Sequence, residues 1–157
     1  YLLSYALYSL TTEINHNTII RQLANYVIRI EVKVNKLTEV FKALSDRNRL
    51  RIVLALTKYD ELCACQLTEL IQVTSATASR HMGVLISAKI VESRKDGRWV
   101  FYRLCKEKSD LNALIHWVEL QLRNDSAAKL DEKDLAKITS IDPEELCREQ
   151  RGAKCCS

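Results

Sequence analysis

ELCACQLTELIQVTSATASRHMGVLISAKIVESRKDGRWVFYR, residues 61–103, sets three readable pieces end to end: a cysteine pair, two short helices and a charged hairpin. From Ala64 to Ile71, the apolar Leu67, Leu70 and Ile71 fall at i, i+3 and i+4, so one helical face turns inward. Gln72, Val73 and Thr74 interrupt the pattern. Ser75 then offers a hydroxyl where a second helix needs an N-cap. Beyond it Ala78, Met82, Leu85 and Ile86 recur at i, i+4, i+7 and i+8 and form a narrow inward stripe. The opposite face shows Ala76, Thr77, Arg80, Gly83 and Val84, with His81 at its margin. Small residues let a helix sit close to a nucleic-acid groove, and Arg80 with the hydroxyls of Ser75, Thr77 and Ser79 supplies donors to bases or phosphates. Two short helices joined by a three-residue turn are also an ordinary core hairpin, and the following residues tip the balance. Ile90–Lys95 and Trp99–Leu104 are strand-like runs flanking Asp96-Gly97, a tight-turn signal. Arg94, Lys95, Arg98 and Arg103 load that hairpin with charge, and residues 80–108 hold eight basic against three acidic side chains. Such a bias suits a wing lying along a phosphate backbone, with Lys95 and Arg98 as its contacts.

Three motifs carry a resemblance. Cys63-Ala64-Cys65 opens a helix, Thr77-Ala78-Ser79-Arg80-His81 lies inside the next, and Lys95 to Arg103 reads KDGRWVFYR. Upstream, Phe41 to Ile52 reads FKALSDRNRLRI. Together they make residues Leu37–Asn124 resemble the ArsR/SmtB family of winged-helix metalloregulators, and the cysteine pair is similar to that of the arsenite-responsive branch. The resemblance implies a mainly α winged helix-turn-helix with a two-stranded β wing. It also implies a homodimeric repressor that leaves its operator DNA when arsenite or antimonite binds the thiolates of Cys63 and Cys65. Thr68 stands where a third cysteine often sits in the family, so the third ligand comes from Cys155 or Cys156 or the site stays two-thiol; the tail pair is equally a second site or an end without a role.

The residues themselves leave the cysteine chemistry open. Cys63 and Cys65 diverge by about 200° on a regular helix, so they converge only across a helix start or an unwound turn. Thiolates suit soft ions, and a helix N-terminus lowers a thiol pKa. The alternative within the regulators is a sensor of thiol oxidation or reactive sulfur that uses the same pair. Zinc or cadmium is a further alternative. His116 and Glu119 have an i, i+3 spacing compatible with zinc, but the segment Lys106–Asp110 brings no histidine to join them. Cys105 reads as structural packing and Cys147 carries no assignable role. A thiol oxidoreductase is the remote reading: no Cys-x-x-Cys precedes a helix and no His base is legible near the thiols, so no enzymatic activity is expected.

Outward from this centre, 157 residues with 47% apolar content suffice for one domain with extensions. The net charge of +4 is mild. Six cysteines without a secretory signal predict a reducing cytoplasm and thiols rather than a disulfide framework. Tyr1–Leu10 is apolar but too short to span a bilayer, so no membrane partner is expected. Residues 1–36 form an extension of unknown role, in which Thr18–Ala24 suits a helix. Ile28, Ile30, Val32 and Val34 alternate with polar residues and predict a strand. Translation starting near Val34 or Leu37 is an alternative expectation, testable by the intact mass of the native protein. Asp46 heads a helix burying Leu50, Val53, Leu54 and Leu56. Leu111, Leu114, Ile115, Val118 and Leu122 recur along a later helix, which Trp117 and Leu120 widen into a candidate dimer face. Residues 37–124 thus form the DNA-binding and dimerisation domain. Residues 125–157, holding Cys147, Cys155 and Cys156, predict a polar, mobile tail that can be cut after Asn124 without loss of dimerisation or DNA binding.

Overall fold

The computed structural model describes residues 2–105 and 109–152 and divides into two units, Tyr1–Glu39 and Val40–Ser157. The first unit is helix throughout its described part. Helix α1 runs Leu2–Leu44, and its last turn belongs to the second unit. The strand expected at residues 28–34 is therefore a helix. The same apolar residues satisfy two periods: Ile30 and Val34 fit an alternation, but they also continue a 3,4 spacing that begins at Ile20 and Leu23. With no second strand to pair against, the helical reading keeps every backbone hydrogen bond inside the segment.

In the second unit α2 spans Arg47–Lys58, and Asp46 caps it, its carboxylate accepting from the Arg49 N–H at 3.0 Å. Strand β1 (Leu62–Cys63) leads without a break into α3 (Ala64–Ile71), which closes on Gln72 in the left-handed region. Helix α4 spans Ser75–Ser87. Its cap is Thr74 rather than Ser75, because the Thr74 hydroxyl lies three residues ahead of the Thr77 N–H it accepts from. Strands β2 (Val91–Asp96) and β3 (Trp99–Leu104) make the hairpin, in register from Val91 opposite Leu104 to Asp96 opposite Trp99. The turn is thus Gly97-Arg98, one residue later than the dipeptide read from sequence, and Gly97 takes the positive φ of +55° that its first position demands. β1 adds a short third strand on the far side of β3, pairing Leu62 with Tyr102 and Cys63 with Phe101.

Helices α5 (Ser109–Leu122), α6 (Ser126–Ser140) and α7 (Pro143–Gly152) complete the described chain. Ile52, Leu62, Leu67, Met82, Leu85 and Ile90 are the largest fully buried side chains, and they join α2, β1, α3, α4 and the start of the hairpin into one core. Residues 125–152 are not a polar appendage: Leu135, Ile138 and Leu146 enter that same core. Arg51 fixes α6 in place. Its guanidinium forms a two-pronged pair with Asp131 at 2.7 and 2.8 Å and donates to the Leu70 carbonyl at 2.6 Å. The composition of residues 125–152 conceals this, since only every third or fourth residue is apolar. On α5, Leu111 and Ile115 are buried while Trp117 and Leu120 stay exposed. No helix among the described residues is long and apolar enough to cross a membrane.

Candidate nucleic-acid interface and cysteine site

Helix α4 presents Ser75, Ala76, Ser79, Arg80, Gly83 and Val84 outward, while Ala78, Met82 and Leu85 hold it to the core. Among the described residues Arg80 and the wing's Lys95 have no ion pair. Of the other expected contacts, Ser75 and Ser79 are exposed, and Thr77, His81 and Arg98 have partners within the fold. Thr77 is half-buried, its hydroxyl 3.0 Å from that of Thr74. His81 turns inward, with Nδ1 3.5 Å from an Asp46 carboxylate oxygen and its side chain 14% exposed. Of the hairpin arginines, Arg94 is held by Glu61 at 2.8 Å and Asp96 at 2.9 Å and lies over the Phe101 ring. Arg103 pairs with Glu92 at 2.6 Å. Arg98 lies over Trp99 and forms an ion pair with Glu144 of α7. The positive charge counted along the hairpin is therefore largely balanced within the fold. What reaches outward is Arg80 and Lys95, with Arg98 in balance against Glu144 in the first turn of α7.

The cysteines separate in an unexpected way. Cys63 is wholly buried as the N-cap residue of α3, and its N–H donates to Gln66 Oε1 at 2.9 Å. Burial pushes its thiol above the ordinary 9.0, against the opposing pull of backbone N–H groups at Gln66 and Cys65. Cys65 lies in the first turn of α3 and is joined by a disulfide to Cys147 of α7, Cα to Cα 5.6 Å across 82 residues of sequence. The expectation of thiols without a disulfide is corrected here, and so is the view of Cys147 as roleless. Gln150, one turn beyond Cys147, donates to the Cys65 carbonyl at 3.1 Å and to Glu69 at 2.8 Å. Thr68, at the position where the family often has a third cysteine, is buried and donates its hydroxyl to the Ala64 carbonyl.

Cys155 and Cys156 lie outside the described residues. Cys105 follows β3 and is half-buried. His116 and Glu119 stand 3.9 Å apart, with Glu119 also engaged by Lys58 at 2.8 Å. Among the described residues no three His, Cys, Asp or Glu side chains gather as a metal-binding group. Among the described residues the sulfurs that lie together are thus two, from Cys65 and Cys147, and they suit an ion or reagent that bridges two thiols. The sequence reads a capped helix from Pro143, with Glu144 and Glu145 in its first turn and Cys147 along it, ending at Arg151-Gly152. Nothing in it joins Cys147 to Cys65 or Glu144 to Arg98.

Comparison with known proteins agrees with this geometry. Residues 46–93 match the family described as bacterial regulatory proteins of the arsR family. The cadmium resistance transcriptional regulatory protein CadC of Listeria innocua is 48% identical over 62 residues, 40% of this chain and 52% of that protein. This chain thus spans about half the length of that regulator. The arsenical resistance operon repressor of Bacillus subtilis is 34% identical over 82 residues, covering 52% of this chain and 76% of the relative. Among solved structures, a homodimeric winged helix-turn-helix DNA-binding domain from Mycobacterium bovis superposes with a TM-score of 0.53 at 25% identity, over 60% of this chain and 85% of that one. Motifs, hairpin and relatives converge: the chain belongs to the ArsR family of winged helix-turn-helix regulators.

Proposed function

We propose that this protein is a transcriptional repressor that binds operator DNA as a homodimer and releases it when arsenite or antimonite binds its cysteine thiolates. The observation that carries the reading is Cys65. It lies in the first turn of the helix supporting α4, with a second sulfur, that of Cys147, in direct reach. Recognition falls to Arg80 and Ser79 on α4, with Ser75 and Thr77 at its start and Lys95 and Arg98 on the wing. The exposed Trp117 and Leu120 of α5 favour pairing of two copies. Relatives named for arsenical and for cadmium resistance support a thiophilic inducer.

In the reduced protein Cys65 and Cys147 supply the thiolates. Cys63 would join them only if β1 released Phe101, because its side chain is packed inside. The test is operator release followed by fluorescence anisotropy, on a duplex selected from random sequence, across arsenite, antimonite, cadmium and zinc. Release by arsenite at the lowest concentration is expected, lost in Cys65→Ser and Cys147→Ser and kept in Cys63→Ser and Cys105→Ser. Loss in Cys63→Ser together with normal release in Cys147→Ser would restore the Cys63–Cys65 pair as the sensor. In the same assay Arg80→Ala should cost about 1–3 kcal/mol of operator affinity. A second reading, a sensor of thiol oxidation, is favoured by the Cys65–Cys147 bond itself. It expects release by peroxide in buffer free of metal.

A further inference from the structure

Helix α7 is acidic at its start, with Glu144 and Glu145 in the first turn and Glu149 beyond. It docks on α3 through buried Leu146, the two hydrogen bonds of Gln150 and the Cys65–Cys147 bond. From there it reaches the wing, where Glu144 takes Arg98. Ser75 and Ser79 of α4, Arg98 and Trp99 of the wing, and the two bonded cysteines line one cavity of about 410 Å³. A helix with an acidic first turn is thus anchored beside the two elements that would meet DNA.

We infer that Cys65 and Cys147 form a thiol modification site, and that its disulfide clasps α7 over the wing and masks Arg98 from phosphate. The inference rests on the DNA-binding reading above. The oxidant is a hydroperoxide. One thiolate attacks the terminal peroxide oxygen and becomes a sulfenic acid as an alcohol or water leaves. The second thiolate displaces the sulfenic hydroxyl as water and closes the S–S bond. When the bond is reduced, the exposed Arg98–Glu144 pair is a weak surface contact that a phosphate displaces readily. When it is closed, α7 cannot swing away and Glu144 stays in competition.

Phosphate contacts are read through salt dependence, and no operator is needed to see them. Each contact contributes about −0.9 to the slope of log K against log salt. The experiment measures binding of the full chain to a random-sequence duplex over a salt series. It compares the reduced and the peroxide-oxidised protein, with the thiol state verified by intact mass. The reduced form should show a slope steeper by about 0.9 per protomer and bind several-fold tighter at low salt. Glu144→Gln, a surface change that spares the fold, should give the oxidised protein the slope of the reduced parent. Cys147→Ser should show the reduced slope whether or not peroxide is added. Identical slopes for oxidised and reduced parent overturn the clasp and leave the repressor reading standing. No duplex binding by either form at low salt overturns both.

A second inference comes independently from α1. Ile20, Leu23, Val27, Ile30, Val34 and Leu37 follow a strict 3,4 spacing, and all are exposed. Ile and Val occupy the first position of each heptad and Leu23 and Leu37 two of the three fourth positions, the choice that favours two parallel strands, with Ile30 the departure from it. We propose that the occupant of this seam is a second copy of the same helix, parallel and in register. The partner must share the 3.5-residue period, and an identical chain presents it. Val27→Cys and Val34→Cys in the full chain should each give a covalent dimer under mild oxidation, while Arg29→Cys on the outer face should not. Crosslinking no greater than that of Arg29→Cys would overturn the seam.

Discussion

Cys63 shows how one residue can match a ligand motif and yet serve the fold. It begins α3, pairs across to Phe101 of β3, and its thiol is shut in the interior, which favours the neutral form. Tyr102 of β3 is pushed in the same direction by its own burial. The sign of the linkage follows. Both groups are harder to deprotonate when folded, so the stability they confer is fully present below their unfolded pKa values. It is lost as pH rises through the folded ones. Stability should therefore decline above about pH 9, the ordinary value for the thiol. Cys63→Ala should reduce that decline, even as it lowers stability at neutral pH by removing a buried side chain. Denaturant midpoints at pH 7, 9 and 10 for parent and variant measure this. A parent midpoint unchanged to pH 10 contradicts it.

The elements were legible in proportion to their periodicity. Residues 64–71 and 99–104 fold as read, because each run has one apolar face and a clear stop. The cap of α4 moved by one residue because Thr74 and Ser75 both offer a hydroxyl, and only the reach to the Thr77 N–H separates them. Residues 28–34 failed because β-branched alternation and a heptad spacing share Ile30 and Val34. The Cys65–Cys147 bond was beyond sequence reasoning altogether: no local pattern connects two positions 82 residues apart. Gly97 tests how firmly the wing depends on its turn. Its φ of +55° is a region that a β-branched residue adopts only at a cost of about 1–2 kcal/mol. Nothing lies within 4 Å of where its Cβ would stand, so the backbone conformation alone sets the penalty. Gly97→Val should lower stability by about that amount and weaken DNA binding through the displaced Arg98 and Lys95. Gly97→Asn, which tolerates the left-handed region, should be nearly silent in the same melts.

At the scale of the whole molecule, the three C-terminal features argue against a dispensable tail. Leu135, Ile138 and Leu146 are almost fully buried, and each such side chain contributes about 1.5–3 kcal/mol by leaving water. The Arg51–Asp131 pair joins α2 to α6, and without Asp131 the half-buried guanidinium would keep only its weaker partners. The Cys65–Cys147 bond closes a loop that, on chain-entropy grounds, adds roughly 4.5 kcal/mol in the oxidised state. Total stabilities of domains are only about 5–15 kcal/mol, so losing all of these at once is not a small perturbation. The sequence pattern argued that a cut after Asn124 preserves dimerisation and DNA binding; the packing of α6 and α7 argues the reverse. A chain ending at Asn124 should melt at far lower denaturant, or fail to fold, and lose DNA binding with its fold. An Asn124 truncation with the parent's midpoint would show that α6 and α7 ride on the domain without supporting it. Reduction of the intact protein separates the two contributions, since it removes the covalent bond and leaves buried Leu135 and Ile138 of α6 and the Arg51–Asp131 pair in place.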